Sequence, residues 1–328
     1  MKRARLKGLL VAVAVAAMAW AAGPQQAGAQ KMPSSMEIGG ASIGGAFYVV
    51  AGGVAKLLEQ ELKIPVTAAV TEGSRENVRL IERKQIFMGV IASNNSYPAY
   101  HGVLTYKRKY PVALAMGLYP NAFTLHTLPG SSINSFADLK GNRVGVGTGR
   151  TWDAFMVPLM KAHGLTYKKD FKPVYAGMSD LYTQLGDGNI VAMPTMVSGL
   201  SPIPAALRLH AEKGARYLPP EPQAVDKMVK QFPYMTRQTI PANTPTFEKA
   251  VETFDIGGPL LTVRADADEE LVYQVIKLIH QNLKQLAADV RYFKYAELNP
   301  SVLTTQIGVP YHPGAIRYWK EAGLWPKK

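Results

Sequence analysis

Two glycine-rich segments hold the residue types best suited to recognising an anion. In the first, Glu37 to Tyr48 (EIGGASIGGAFY), Ser42 to Gly45 stand where a strand gives way to a helix. N–H groups at a helix start suit a carboxylate or phosphate, and Gly44 and Gly45 let a ligand approach the backbone closely. Phe47 and Tyr48 are placed to wall the apolar part of that ligand, although the same glycines also serve a tight turn. In the second, Arg143 to Phe155 (RVGVGTGRTWDAF), Thr148, Gly149, Arg150 and Thr151 set a guanidinium and hydroxyls beside a helix start, with Trp152 as a lid. Guanidinium meets carboxylate in a bidentate fork, so Arg150 is the best single candidate for a charged contact, a surface salt bridge being the alternative.

Three further stretches are weighed equally between binding and plain loop chemistry. Ser74 and Asn77 open a helix aimed at the same strand edge, where Ser74 is also a candidate N-cap. Ser93, Asn94, Asn95 and Ser96 follow the buried-type strand Ile86 to Ala92. Met196 to Ser201 follow the equivalent strand of the second half, so that Ser198 and Gly199 are expected to face them across a cleft.

Catalytic patterns are missing. The run Gly145-Val146-Gly147-Thr148-Gly149 lacks the dinucleotide spacing, and no phosphate loop or Gly-x-Ser-x-Gly elbow occurs. The six histidines, 101, 126, 163, 210, 280 and 312, are scattered without the pairing a metal site needs. No cofactor and no enzymatic step are expected.

The elements that must position these loops repeat. Val70 to Gly89 (VTEGSRENVRLIERKQIFMG) and Val174 to Met193 (VYAGMSDLYTQLGDGNIVAM) align without a gap 104 positions apart, each running strand, glycine, short helix, strand. Two such halves imply two α/β lobes with a ligand cleft between them. Phe47, Val50, Val54, Leu57 and Leu62 follow helical spacing after the first loop. Val112 to His126, broken at Tyr119-Pro120-Asn121, reads as extended chain leaving the first lobe. Pro219 to Pro245 shows no sustained periodicity and is expected as an irregular crossing back, ahead of the strand Leu260 to Val263. Asp266 to Glu270 then opens a helix, and Pro313 and Gly323 bracket another. The expected division is a signal peptide at 1–29, lobe 1 at 30–122 and 257–328, and lobe 2 at 123–256.

Lys2, Arg3, Arg5 and Lys7, the apolar run Leu9 to Ala22 and the small residues Ala27-Gly28-Ala29 make a secretory signal cut after Ala29. Its arginines are not adjacent, which favours the general secretion route over twin-arginine export. The absence of cysteine excludes disulfides, thiolate metal sites and a lipidated cysteine. A free periplasmic monomer follows as the expectation. Removing the signal's four basic residues lowers the formal charge from +13 to 33 basic against 24 acidic, or +9. Such a surface favours small anions or a membrane face, while an exported chain meets little nucleic acid. Lys107-Arg108-Lys109 is read as a solvated loop.

Taken in order, GGASIGGAFY, VTEGSRENVRLI, FMGVIASNNSYPAYHG, FADLKGNRVGVGTG and VPYHPGAIRYWKEAGLW resemble the TAXI family, the immunogenic-type solute receptors of tripartite ATP-independent periplasmic (TRAP) transporters. The resemblance spans nearly all of the mature chain. It implies a type II periplasmic-binding-protein fold whose lobes close over a glutamate- or 2-oxoglutarate-like dicarboxylate and deliver it to TRAP permease subunits, small and large or fused. It also implies a ligand shell of Ser42, Gly45, Phe47, Tyr48, Ser74, Asn77 and Asn94. The chain departs from the family in its second loop, where Arg150 and Trp152 replace small residues and leave the ligand's identity open. A receptor of the same fold for an ATP-driven importer or sensor kinase, and an exported α/β enzyme, are the alternatives.

Overall fold

Strand β1 (Met36–Gly39) passes through the first glycine loop into α1 (Ala46–Leu62), and β2 (Val66–Ala69) passes through a short turn into α2 (Ser74–Glu82). These come from a computed structural model that describes residues 32–326, positions 44, 148, 200 and 243 excepted; of residues 149–152 and 154 only the backbone is described. The signal segment lies outside the described residues. The chain divides into two units, Met1–Pro33 and Ser34–Lys328, and every element named here belongs to the second.

Strand β3 (Met88–Ala92) runs directly into α3 (Ser93–His101), and β4 (Val112–Gly117) leads to β5 (Asn121–Thr127). The second half repeats the opening order with β6 (Arg143–Gly145), α4 (Gly149–Ala162), β7 (Lys172–Val174), α5 (Met178–Gly186) and β8 (Ala192–Ser198). Then come β9 (Ser201–Pro202), α6 (Pro204–Lys213), β10 (Arg216–Leu218), α7 (Pro222–Gln231) and the hairpin β11 (Arg237–Ile240) with β12 (Val251–Phe254). Strand β13 (Pro259–Arg264) and helices α8 (Glu269–Gln281), α9 (Leu283–Asp289), α10 (Lys294–Leu298) and α11 (Pro313–Glu321) follow.

The first sheet has the order β2-β1-β3-β13-β4, and the second reads β7-β6-β8-β5-β10. In each, the first three strands run parallel, the fourth runs antiparallel to them, and the fifth, antiparallel to the fourth, runs in the direction of the first three. Helices α2 and α5 begin at 74 and 178, and strands β3 and β8 at 88 and 192, so the sequence offset of 104 holds at both. The fourth strand of each sheet is borrowed: β13 returns to sheet one after the whole of sheet two, while β5 enters sheet two straight from β4.

Strands β3, β4 and β13 are apolar on both faces because helices cover both, as a mostly buried sheet requires. On one face Val90, Leu114 and Met116 meet α1, α8 and the fully buried Trp319 of α11. On the other, Ile91 and Val112 meet Val78 and Ile81 of α2 and Ala99 of α3. Helix α1 buries Val50, Val54 and Leu57 and half-buries Phe47 and Leu62, as their spacing predicts. Asp268 caps α8 by accepting the Leu271 N–H at 2.8 Å.

Two local expectations are corrected. The segment Pro219 to Pro245 is not irregular throughout, for it contains α7 and β11; Pro222 is pre-set for the first helical turn and Ala224, Val225 and Met228 make a stripe too short to register as a period. Ser93 to Ser96 are not loop: they form the first turn of α3, entered from β3 with no intervening residue. Among the described residues no helix is long and apolar enough to cross a membrane.

Candidate functional site

The parallel strands of sheet one end together, and the ends of β1, β2 and β3 are bound to one another. Gly39 and Gly40 are needed for close packing, since a Cβ at Gly39 would lie 2.7 Å from Asn77 Oδ1 and one at Gly40 2.8 Å from Tyr48 Cα. The loop then turns through a Gly45 N–H bond to the Ser42 carbonyl at 3.0 Å. Ser42 is exposed, Phe47 and Tyr48 are half-buried, and Gly45 starts α1 with no side-chain cap; Gly44 lies outside the described residues. Thr71, which sequence reasoning passed over, ties this loop to the next: its hydroxyl donates to Gly40 O and accepts the Gly73 N–H, both at 3.1 Å.

Asn77 is corrected from ligand contact to loop support. It is fully buried, and its amide nitrogen reaches the carbonyls of Gly40 (2.8 Å), Val90 (3.0 Å) and Gly39 (3.3 Å), which leaves it facing backbone. Ser74 does not cap α2 either. Gly73, at φ 94°, occupies the N-cap, and Ser74 Oγ accepts the Ala92 N–H at 3.0 Å. This joins the start of α2 to the end of β3.

Ser74 and Asn94 do share a cleft, of about 310 Å³. One wall carries Ser74, Arg75, Asn94, Asn95 and Thr105; Phe155, Tyr234 and Met235 from the second half form the other, with Ile256 between them. Inside it the asparagines are engaged: Asn94 Nδ2 donates to Ile256 O (3.1 Å), Asn95 Nδ2 to Asn94 Oδ1 (2.9 Å), and the Tyr106 hydroxyl to Asn95 Oδ1 (3.1 Å). Ser93 Oγ donates to Tyr234 O at 3.1 Å, so the two walls already touch at the start of α3.

The chain crosses between the sheets at 118–120 and 255–258, and Asp255 binds both crossings. Its carboxylate accepts N–H groups from Asn121 and Gly257, each at 2.9 Å, and from Gly258 at 3.0 Å. Burial pushes this carboxyl up to about 6, against the opposing pull of those three bonds. Asn94 packs on the same crossing: a Cβ at Gly257, whose φ is 146°, would lie 2.7 Å from Asn94 Nδ2. Gly257→Ala is therefore expected to lower the unfolding free energy by about 1–3 kcal/mol, readable in a urea titration.

The second half presents its counterpart loop with Gly147 at φ 79°, followed by α4. Asp153 on that helix accepts hydroxyls from Tyr167 (2.8 Å) and Tyr175 (3.1 Å), which hold its first turn to the end of β7. Thr148 lies outside the described residues, as do the side chains of Arg150, Thr151 and Trp152. Ser198 is corrected: it does not face Ser74 or Asn94, because its hydroxyl donates to Asn121 Oδ1 at 2.9 Å beside the crossing. It lines a separate hollow of about 130 Å³ with Arg291 and Tyr295. Among the described residues no group of three or more His, Cys, Asp or Glu is arranged to hold a metal ion.

Paired α/β halves with exchanged fourth strands and a cleft at the strand ends define a two-lobed periplasmic-binding-protein fold. The periplasmic aliphatic sulphonate binding protein SsuA from Escherichia coli matches with a TM-score of 0.50 at 16% identity, over 90% of each chain. A Xanthomonas citri protein bound to ATP matches with a TM-score of 0.53 at 10% identity, over 89% of this chain and 97% of that one. Within this fold the chain belongs to the NMT1-like family, whose profile it matches over residues 38–323.

Proposed function

We propose that this protein is an extracytoplasmic solute receptor that captures a small organic anion by lobe closure and hands it to a membrane transporter without chemical change. The observation that carries the reading is the cleft of about 310 Å³ between the two halves, bordered by helix starts and lying beside the crossings at 118–120 and 255–258. The lobes are taken as 30–122 with 257–328 and 123–256. A ligand that touches both walls binds best when they are together and so shifts the population toward closure.

The TAXI-like motifs of the sequence support a TRAP permease as the partner and a glutamate- or 2-oxoglutarate-like dicarboxylate as the ligand. Export by the N-terminal signal to the periplasm accords with both. The Escherichia coli fold neighbour is named for a sulphonate, another organic oxyanion, and a receptor of the same fold for an ATP-driven importer is the second reading. Ser42, Tyr48, Ser74 and the second-loop residues Arg150 and Trp152 remain the proposed contacts.

A thermal-shift titration tests the reading. Ligand at 100 times its Kd is expected to add about 2.7 kcal/mol of stability, and the ligand should be recovered unaltered. Turnover of a bound compound would sink it. Uptake by proteoliposomes carrying a TRAP permease, driven by an ion gradient without ATP, separates the two transporter readings.

A further inference from the structure

We infer that Arg75 and the hydroxyl of Tyr234 form a two-point clamp across the cleft for the oxyanion of the ligand, an inference that rests on the receptor reading above. Several polar groups of the cleft are already engaged. Asn94 and Asn95 are tied into the chain that runs from Tyr106 to Ile256 O, and Ser74 Oγ accepts a backbone N–H. Arg75 has no carboxylate within 4.0 Å and no hydrogen bond among the described residues, where eight ion pairs of other lysines and arginines are formed. It extends from the first turn of α2, where the helix adds its own positive end.

Tyr234 supplies the second, independent observation. The residue is only 6% exposed and lines the opposite wall, yet its hydroxyl has no partner among the described residues. Its backbone is fixed, because its carbonyl takes the Ser93 hydroxyl. Burial pushes its hydroxyl up to about 12, so it stays a donor at neutral pH. A cation on one side of the cleft and a fixed donor on the other are placed to share one anionic group.

The rest of the cleft describes the body of that ligand. Phe155 and Met235 add apolar lining beside Tyr234, and the exposed Leu104 lines the cleft as well. Glu72 stands on the same rim with its side chain exposed and repels negative charge that Arg75 does not meet. The class selected is an organic acid, carboxylic or sulfonic, with an apolar or aromatic body.

The test is calorimetric titration of the purified protein with glutarate, phenylacetate and phenylmethanesulfonate, each beside its neutral amide. At least one acid is expected to bind and its amide to bind tenfold or more weakly. Arg75→Ala should weaken the acid by about tenfold or more, as loss of a hydrogen bond to a charged group does, and should erase the preference for acid over amide. Arg75→Lys should fall between, having charge without the fork. Tyr234→Phe should weaken the acid by about tenfold, while Glu72→Gln should not weaken it. If Arg75→Ala binds the acid as tightly, or keeps the acid preference, the clamp is overturned and the receptor reading stands. If no acid binds, both fall. Carboxylate bound and sulfonate refused, or the reverse, identifies which oxyanion the clamp fits.

Discussion

Asp255→Ala is expected to lower the unfolding free energy by about 3 kcal/mol at pH 7, taking about 1 kcal/mol, the low end, for each of three backbone donors left unpaired. Those donors belong to both crossings, Asn121 on the first and Gly257 and Gly258 on the second, so the loss falls on the segment about which the lobes turn. The effect also depends on pH, in an unusual direction. Tyr119 and Tyr295 face the carboxyl, no cation among the described residues does, and burial raises it to about 6, above the unfolded value of about 3.9. A raised value means that the folded chain holds the proton more tightly. The contribution is full below about pH 4 and is lost as pH rises through 6. The deficit of the variant should therefore grow by about 3 kcal/mol between pH 7 and pH 4. Urea titrations of both proteins at pH 4, 5 and 7 measure it, and a deficit that shrinks in acid would refute the assignment.

His126→Leu is expected to make the protein more stable, and increasingly so in acid. His126 lies in β5 with no exposure, against the rings of Tyr182 and Tyr217, and neither ring nitrogen has a partner among the described residues. Burial first, and the charge of His210 second, push it down to about 3. Unfolding releases it to about 6.5, so the unfolded chain takes the proton first. The stability from its neutral form is present above pH 6.5 and is lost as pH falls toward 3, by about 4–5 kcal/mol. This outweighs the opposite contribution of Asp255, so the wild-type protein should lose stability in acid over this window. His126→Leu removes this share of the dependence, leaving that of His163, which burial holds down to about 4, and adds about 1 kcal/mol at pH 7 by eliminating an unpaired N–H. Thermal unfolding at pH 7 and pH 4.5 tests both statements, and an unchanged acid slope would count against His126.

The parts of this molecule that were legible beforehand are those written as apolar runs. The repeat at 104, the crossing near Pro120 and the return at Leu260 could be read because buried strands need unbroken apolar residues, and the second copy lent weight to the first. The site was less legible. Asn77 and Ser198 have the residue types of ligand contacts, but a polar side chain beside strand ends satisfies backbone groups equally well, and only coordinates show which it does. Asn94 reaches the cleft, yet its amide serves the crossing at Ile256. Arg75 and Tyr234 carried no local signal, since what singles them out is the absence of partners in space. Asp255 follows an ordinary strand and carries no local signal either. The family resemblance lay in motifs of the loops, while the fold match lay in the order of strands.

The borrowed strands bear on how the molecule comes into being. Strand β13 stands between β3 and β4, and its partner residues in β3 lie roughly 170 positions earlier in the chain. Sheet one is therefore unfinished until nearly the whole polypeptide has emerged, with the apolar edges of β3 and β4 facing a gap. A chain built this way delays its own collapse to a native core. That delay would leave the edges of β3 and β4 in need of protection in the meantime. No single cut could separate the two sheets and leave each whole, so the two must be made together.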